Sequence, residues 1–155
     1  MSNDDNARKN VAKLGDFMCF AIYSTNLAYS RVYKPVLEQL GLTYTQYVTI
    51  ICLWEEDRQT VKGLSEKLFL EPSTMTPMLK RLEAMGYVRR ERDTEDERSV
   101  RVSLTEAGRA LREKAFDYRE ITARAAGLAP DEFRILQKAV VNLRTNLMDA
   151  ADPAS

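Results

Sequence analysis

Cys19 is the residue whose type and surroundings are best suited to chemistry. It stands in the run Phe17-Met18-Cys19-Phe20-Ala21-Ile22-Tyr23 of a 155-residue chain that has two cysteines. A free thiol has a pKa of about 8.5 and only its thiolate reacts quickly with peroxide, so a sensing cysteine needs groups that stabilise the anion. Tyrosine hydroxyls are neutral donors that can do this. The candidates near Cys19 in sequence are Tyr23, Tyr29, Tyr33, Tyr44 and Tyr47.

A purely structural interpretation of the same residues stays open. Cys19 can be a small core residue, with the tyrosines filling a junction between helices, and periodicity does not decide between the two. In the chemical interpretation, an apolar rim of Phe17, Met18 and Phe20 would favour an apolar peroxide over hydrogen peroxide. Cys52 lies in a mostly apolar run, Tyr47 to Trp54, and is most simply a buried small hydrophobe.

The chain contains no histidine, which removes the commonest general base and the commonest zinc ligand together. This argues against most hydrolase chemistries. We predict that the protein is not an enzyme and needs no metal ion or other cofactor. Lys and Arg total 23, as do Asp and Glu, so the net charge is +0 and does not by itself indicate nucleic-acid binding. Any DNA-binding surface must come from a local arrangement of charges.

A length of 155 residues suits one domain that buries about 70% of the surface of its unfolded chain. No apolar run is long enough to cross a membrane, and the first ten residues, MSNDDNARKN, lack the apolar stretch of a secretory signal. Two cysteines cannot form a disulfide framework. We expect a single domain over residues 1–155, in the cytoplasm and without membrane contact.

Hydrophobic periodicity predicts helices over most of the chain. One long amphipathic helix is predicted from about Val11 to Val32 with heptad spacing, followed by a short separate segment that Pro35 opens and Gly41 ends. The next helix, Gln46 to Glu56, is capped by Thr43 or Thr45. It is apolar almost all round, so we expect it in the middle of the fold.

The C-terminal third predicts two further helices. Thr105 caps the first, which runs from Glu106 to Ala125 and is closed by Gly127. Pro130 starts the second, whose apolar residues form a narrow seam that should meet another helix along its length. The seam consists of Phe133, Leu136, Val140, Leu143 and Leu147.

Two short helices and a hairpin are predicted between these regions. The first helix has Val61, Leu64, Leu68 and Phe69 inward, a break follows at Leu70-Glu71-Pro72, and the second helix has Met75, Leu79, Leu82 and Met85 inward before Gly86. Alternation over Tyr87 to Arg92 and Ser99 to Leu104 predicts a hairpin with its tip at Asp93 to Arg98. The predicted fold is mainly α with a small β-wing, a winged helix-turn-helix.

In such a fold the second short helix enters the major groove, and the outward residues of this one mix small polar groups with two cations. They are Ser73, Thr74, Thr76, Pro77, Lys80 and Arg81. On the wing we predict DNA contacts from Arg90 and Arg98, with Asp96 pairing with the Arg98 guanidinium and aiming it into a narrow groove. The alternative is a solvated, charge-rich turn.

Five segments resemble the multiple-antibiotic-resistance regulator (MarR) family, and their order and spacing match from about Leu14 to Leu147. They are Leu64-Ser65-Glu66-Lys67-Leu68, Thr76-Pro77-Met78-Leu79-Lys80-Arg81-Leu82-Glu83, Gly86-Tyr87-Val88, Asp93-Thr94-Glu95-Asp96-Glu97-Arg98 and Leu104-Thr105-Glu106-Ala107-Gly108. The resemblance implies a homodimer with intertwined first and last helices. Dimerisation helices would occupy about 11–41 and 106–151, and the winged helix-turn-helix about 44–104. Such a dimer reads a pseudo-palindromic double-stranded DNA operator.

Within that family, Cys19, Tyr23, Tyr33-Lys34-Pro35 and Tyr44-Thr45-Gln46-Tyr47 resemble the organic hydroperoxide resistance regulators. The resemblance implies that Cys19 is the peroxide sensor, that Tyr33 and Tyr44 hydrogen-bond it, one or both across the dimer interface, and that Tyr23 lies in the same site. No cysteine follows Cys52, so the chain resembles the one-cysteine form. The oxidised sulfur is then captured by a low-molecular-weight thiol or a backbone nitrogen, or proceeds to sulfinic acid.

The resulting hypothesis is a repressor that binds its operator when Cys19 is reduced and releases it when an organic hydroperoxide oxidises Cys19. Three other interpretations remain. The same fold could be released by a small phenolic ligand, the chain could be a thiol peroxidase using Cys19, or it could be a dimeric scaffold that does not read DNA. The peroxidase would need a resolving cysteine that is not evident.

Overall fold

The computed structural model describes residues 12–115 and 118–152. Seven helices and three short strands are assigned within these ranges, in the chain order α1 Met18–Leu40, α2 Tyr44–Glu55, β1 Gln59–Thr60, α3 Val61–Leu68, α4 Pro72–Ala84, β2 Val88–Arg92, β3 Val100–Leu104, α5 Glu106–Ala115, α6 Tyr118–Ala126 and α7 Pro130–Ala151. The mainly helical fold with a small wing is the one predicted. The predicted helix start at Val11 lies outside the described residues.

The first helix differs from its prediction at both ends. Leu14–Asp16 forms one 3-10 turn, Phe17 is extended, and α1 then runs without interruption from Met18 through Pro35 to Leu40. The separate segment predicted from Pro35 is therefore wrong. A proline inside a helix removes one backbone donor, and here the burial of Leu37 and Leu40 in the core holds the turns that follow it.

Helix α2 lies at the centre of the fold, as its apolar sequence predicted. Ile50 and Leu53 are fully buried, and Cys52 is buried beside the Gln59 side chain. Thr43, rather than Thr45, is the N-cap, since its hydroxyl accepts from the Gln46 N–H at 3.3 Å. The core that anchors α3 and α4 is built around this helix.

Helices α3 and α4 form the predicted helix-turn-helix. Leu64, Met75, Leu79 and Leu82 are fully buried. Two inward assignments are corrected, because Phe69 is 53% exposed and Met85 is 40% exposed. Phe69 follows the last residue of α3 with φ +54°, and Met85 is the C-cap of α4, so neither continues the inward face of its helix.

The wing is an antiparallel sheet in the order β1-β3-β2. Val88 pairs with Leu104 and Arg92 with Val100, which agrees with the predicted hairpin. The edge strand β1 was not predicted, since two residues are too few to show alternation. It pairs Gln59 with Val102 and joins the wing to the α2–α3 connection.

The C-terminal region contains α5, α6 and α7. The single helix predicted from Glu106 to Ala125 is described as α5 and α6, and residues 116–117 between them lie outside the described part. Gly127, at φ +64°, follows α6, and α7 begins at Pro130 as predicted. In the described ranges, no helix is long and apolar enough to cross a membrane.

Candidate functional site

A groove of about 550 Å³ lies between α1 and α7. Large apolar side chains line it while remaining open to solvent, including Met18 at 65% exposure and Leu136 at 51%. Contiguous exposed apolar surface marks an interaction site. The predicted seam of α7 is thus present, and in this single chain most of it is uncovered.

Three tyrosines and a threonine gather at this groove. The ring centroids of Tyr33 and Tyr44 are 5.2 Å apart, and those of Tyr29 and Tyr33 are 6.1 Å apart. Burial raises the pKa of Tyr33 and the nearby Tyr44 raises it further, while a hydrogen bond with the Thr122 side chain lowers it. The net rise keeps Tyr33 protonated, and able to donate, wherever a thiol of ordinary pKa near 8.5 ionises.

Cys19 is a free, exposed thiol on α1, and Tyr23, one turn on, is 59% exposed with its ring 6.4 Å from that of Phe20. Cys19 and Tyr33 are fourteen positions apart in this helix, a rise of about 21 Å along its axis. Within one chain the structure therefore brings Tyr33 and Tyr44 together but leaves Cys19 and Tyr23 apart from them. The apolar rim of Phe17, Met18 and Phe20 is exposed beside the thiol.

The spacing along α1 relates the two parts. Cys19, Asn26 and Tyr33 recur at intervals of seven, so they share one helix face to within about 20° per step. Asn26 and Tyr33 line the groove. Cys19 is not one of its lining residues, but it lies about two turns before Asn26 on the same side of α1. The sequence gives the position of Asn26 midway between Cys19 and Tyr33. Only the structure shows that Asn26 lies in the groove.

The residues predicted to contact DNA from the second short helix all lie on the exposed surface of α4. The exposed set is Ser73, Thr74, Thr76, Pro77, Lys80 and Arg81. A second groove, of about 370 Å³, separates α4 from the wing and is lined in part by Lys62, Thr76 and Arg98. Small polar groups on the helix with cations beside them suit a nucleic-acid backbone.

Arg90 has an intramolecular partner. Its Nε donates to Glu83 at 2.9 Å, its Nη2 lies 2.8 Å from the same carboxylate, and its backbone N–H donates to the other oxygen at 2.9 Å. The Arg90 hydrogen bonds hold the pKa of Glu83 below its usual value. This pair therefore links α4 to strand β2 of the wing. Glu83 was not singled out from the sequence, since only the docking of the hairpin on α4 makes it a partner.

At the wing tip Asp96 acts on the backbone. Its carboxylate accepts from the Arg98 backbone N–H at 3.1 Å and from the Ser99 hydroxyl at 3.0 Å, so the predicted pairing with the Arg98 guanidinium is wrong. A short side chain two residues earlier reaches the backbone of the turn more readily. Arg98 forms no ion pair with any of the described residues, so its guanidinium remains available to an external phosphate or base.

Two acidic residues that the sequence did not single out hold the wing in place. Asp93 is buried and accepts from the Arg101 guanidinium at 2.7 Å. Asp57 accepts from the Leu104 N–H at 2.9 Å and from Arg109 at 2.7 Å. Burial acts to raise the pKa of Asp57, but these hydrogen bonds and that from the Arg58 N–H outweigh it and hold the pKa low.

A helix-turn-helix followed by a β-wing defines the class of winged-helix DNA-binding proteins. In the part of the chain that the structure describes, the arginine at the tip of this wing has no ion-pair partner. The model of the transcriptional regulator SarA/Rot family matches residues 31–115. The chain belongs to this family of MarR-like transcriptional regulators, which are DNA-binding proteins and not enzymes.

Individual relatives agree. The organic hydroperoxide resistance transcriptional regulator of Bacillus subtilis (strain 168) is 48% identical over 105 residues, which are 68% of this chain and 71% of that protein. The HTH-type regulator TtmR of Methylorubrum extorquens (strain PA1) is 40% identical over 140 residues, 90% of this chain and 72% of TtmR. The structure of reduced AbfR bound to DNA, a protein of Staphylococcus epidermidis, matches with TM-score 0.71 at 33% identity over 88% of this chain and 96% of AbfR.

Proposed function

We propose that the protein is a peroxide-sensing repressor, a homodimer that binds a pseudo-palindromic operator while Cys19 is reduced and releases it when an organic hydroperoxide oxidises Cys19. The observation that carries the proposal is the equal spacing of Cys19 and Tyr33 on either side of Asn26 along α1, where Asn26 and Tyr33 line the groove. Similarity to a hydroperoxide resistance regulator supports it. The cytoplasm, where the operator is found, is the proposed location.

The spacing matters because regulators of the MarR type are dimeric. A two-fold axis beside Asn26 would cross two α1 helices antiparallel, so that a residue seven positions before Asn26 meets one seven positions after it. Each arm is about 10.5 Å long. Cys19 of one protomer then approaches Tyr33 of the partner subunit, together with the Tyr44 that packs on it. A two-fold interface makes the contact twice.

In this arrangement the Tyr33 and Tyr44 hydroxyls donate to the Cys19 sulfur and favour its thiolate. The thiolate attacks the terminal oxygen of the hydroperoxide. The S–O bond forms as the O–O bond breaks, the sulfur loses two electrons to the peroxide, and the departing alkoxide takes a proton from water to give an alcohol. The apolar rim around Cys19 favours a peroxide with an apolar substituent.

The sulfenic acid can then condense with a low-molecular-weight thiol, forming a mixed disulfide and releasing water. A shift from mostly bound to mostly free requires about 5.5 kcal/mol of differential stabilisation. Overpacking by a small group costs about 1 to 3 kcal/mol, so we expect the bulky adduct to induce more strongly than the sulfenic acid. The adduct would separate the α1 helices and respace the two recognition helices.

The chemical test is a gel shift with operator DNA before and after cumene hydroperoxide, with mass spectrometry of the same samples. We expect Cys19→Ser to bind DNA and to stay bound after peroxide, whereas the matched control Cys52→Ala responds like the wild type because Cys52 is buried. Peroxide-triggered release by Cys19→Ser would refute the redox mechanism.

The geometric test places a single cysteine at the proposed axis, in a Cys19→Ser and Cys52→Ala background. Asn26→Cys should form an intermolecular disulfide on mild oxidation, since facing residues at a crossing come within bonding range. Ala28→Cys is the control, because that residue is exposed and lies about 200° round the helix. Crosslinking through position 28 but not 26 would rule out the proposed crossing.

The groove itself favours a second candidate. Its volume of about 550 Å³ and its tyrosines suit a small phenolic ligand, which would release DNA without cysteine chemistry. Release of the Cys19→Ser protein from its operator by small phenols would support this function. Lack of any effect at millimolar phenol would argue against it.

A further inference from the structure

The turn between α3 and α4 carries an aromatic residue in a backbone conformation that its type disfavours. Phe69 has φ +54°, in the left-handed region, and is 53% exposed. A bulky L-residue is strained there, and glycine normally takes such positions. At the ends of α1, α4 and α6 the residues with positive φ are indeed Gly41, Gly86 and Gly127. Burial does not explain a phenylalanine at position 69, because more than half of the residue is in solvent.

A cation covers the exposed ring of Phe69. The guanidinium carbon of Arg144, on α7, lies 4.4 Å from the centroid of that ring, which is the geometry of a cation–π interaction. Arg144 is exposed, and within the described part of the chain it forms no ion pair. Its partner there is therefore the aromatic ring of the turn and not a carboxylate.

This contact joins two parts of the molecule that are far apart in sequence. Val141, one turn before Arg144, lines the groove between α1 and α7. Phe69 stands three positions before Pro72, the first residue of α4. The turn is short and is closed by a hydrogen bond from the Leu70 N–H to the Ser65 carbonyl at 3.0 Å. A displacement of Phe69 therefore moves the start of α4 with it.

We propose that Phe69 and Arg144 are a positioning pair for DNA binding, which holds the recognition helix α4 in a fixed place relative to α7. The inference goes beyond the proposed function, since it needs no chemistry at Cys19. It rests on the apolar groove face of α7 being part of the dimer interface. With α7 fixed by the partner subunit, the pair then sets the separation of the two recognition helices.

The expected benefit is an affinity gained by ordering the protein before it meets DNA. A dimer reads two half-sites at one separation, so both recognition helices must be in register with the duplex at once. A recognition helix that is free to turn has to be ordered on binding, which costs affinity. A two-fold dimer contains the pair twice, so the effect on the duplex is squared.

Two simpler roles of Arg144 make different predictions. If it merely shields an exposed ring, its loss leaves the preference for half-site spacing unchanged. If it contacts a DNA phosphate, its loss reduces the slope of log affinity against log salt by about 1. A positioning pair changes affinity and spacing preference while leaving the salt slope as it was.

The experiment uses the Cys19→Ser protein, so that oxidation plays no part, and a duplex selected by that protein from random DNA. The same duplex with one base pair added or removed between the half-sites measures spacing preference. Phe69→Leu removes the π-face but keeps the charge and the strained backbone. We expect its affinity for the selected duplex to fall about two- to fivefold per half-site, the factor for an exposed cation–π contact, with a weaker spacing preference. Phe69→Tyr, which keeps a ring, should bind like the parent.

Arg144→Gln should reproduce the effect of Phe69→Leu with an unchanged salt slope. The matched control is Lys138→Gln, which removes a positive charge from an exposed position of the same helix and should keep the spacing preference. The double variant Phe69→Leu and Arg144→Gln should lose no more affinity than either single variant. Additive losses, a parent-like spacing preference in both single variants, or a salt slope reduced by about 1 in Arg144→Gln would overturn the positioning role.

Discussion

Replacing Gly108 by alanine should destabilise this protein, although the same change inside a helix normally stabilises by up to about 1 kcal/mol. Gly108 is buried in the first turn of α5, where the helix touches the base of the wing. A Cβ at this position would lie 2.1 Å from the Tyr87 carbonyl oxygen and 3.1 Å from the Leu104 side chain. The nearer atom is backbone, so relief requires α5 and the hairpin to move apart.

The size of the effect follows from what is fixed around this contact. The Tyr87 carbonyl also accepts from the Thr105 N–H at 3.1 Å, and the Gly108 carbonyl accepts from the Trp54 Nε1–H at 3.0 Å. Separation of α5 from the wing strains both hydrogen bonds. We expect a net loss of roughly 1 to 3 kcal/mol, the usual cost of overpacking. That corresponds to a fall in Tm of roughly 2 to 4 °C per kcal/mol for a chain of this size.

Thermal unfolding followed by circular dichroism, at one fixed protein concentration, measures this change. Gly15→Ala is the matched control, since a Cβ there meets nothing within 4 Å, and its Tm should stay the same or rise slightly. Operator affinity of Gly108→Ala should fall as well, because the wing is displaced. An unchanged or higher Tm for Gly108→Ala would refute the close approach of α5 to the wing.

Three further outcomes follow from single contacts. Arg98→Ala should weaken operator binding and reduce the slope of log affinity against log salt by about 1, as expected for one lost phosphate contact. The control Arg112→Ala, an exposed residue of α5, should leave the slope unchanged. Equal slopes for Arg98→Ala and the wild type in a salt titration would contradict the wing-tip contact. Cys52→Ala should cost about 1 kcal/mol in urea unfolding, as for loss of one buried group, and leave peroxide sensitivity intact; loss of sensing would show that Cys52 takes part. The pKa of Asp57 is lowered on folding, so its ionised form stabilises the folded protein. The difference in free energy of unfolding between the wild type and Asp57→Asn should therefore be complete above about pH 4 and disappear as the pH falls below that value. A difference that persists unchanged at pH 2 to 3 would disprove the linkage.

The elements that were predictable are those governed by local rules. The apolar α2, the paired α3 and α4, the alternating hairpin and the proline-initiated α7 each carry a periodicity or a cap that needs no partner to be recognised. The wrong boundaries occur where tertiary contacts outweigh local preference. Pro35 stays inside α1 because buried leucines follow it, and β1 exists because β3 offers it hydrogen bonds.

The same distinction between local rules and tertiary contacts applies to the residues of the candidate site. Residue types and their spacing were enough to single out Cys19, the tyrosines and the exposed side chains of α4, and they identified the family to which the chain belongs. Only the folded chain decided that Arg90 is held by Glu83, that Asp96 braces the wing-tip backbone, and that Thr122 reaches Tyr33. Periodicity reports how a residue faces its own element, whereas these pairs depend on how separate elements dock, which is set by the packing of the whole core.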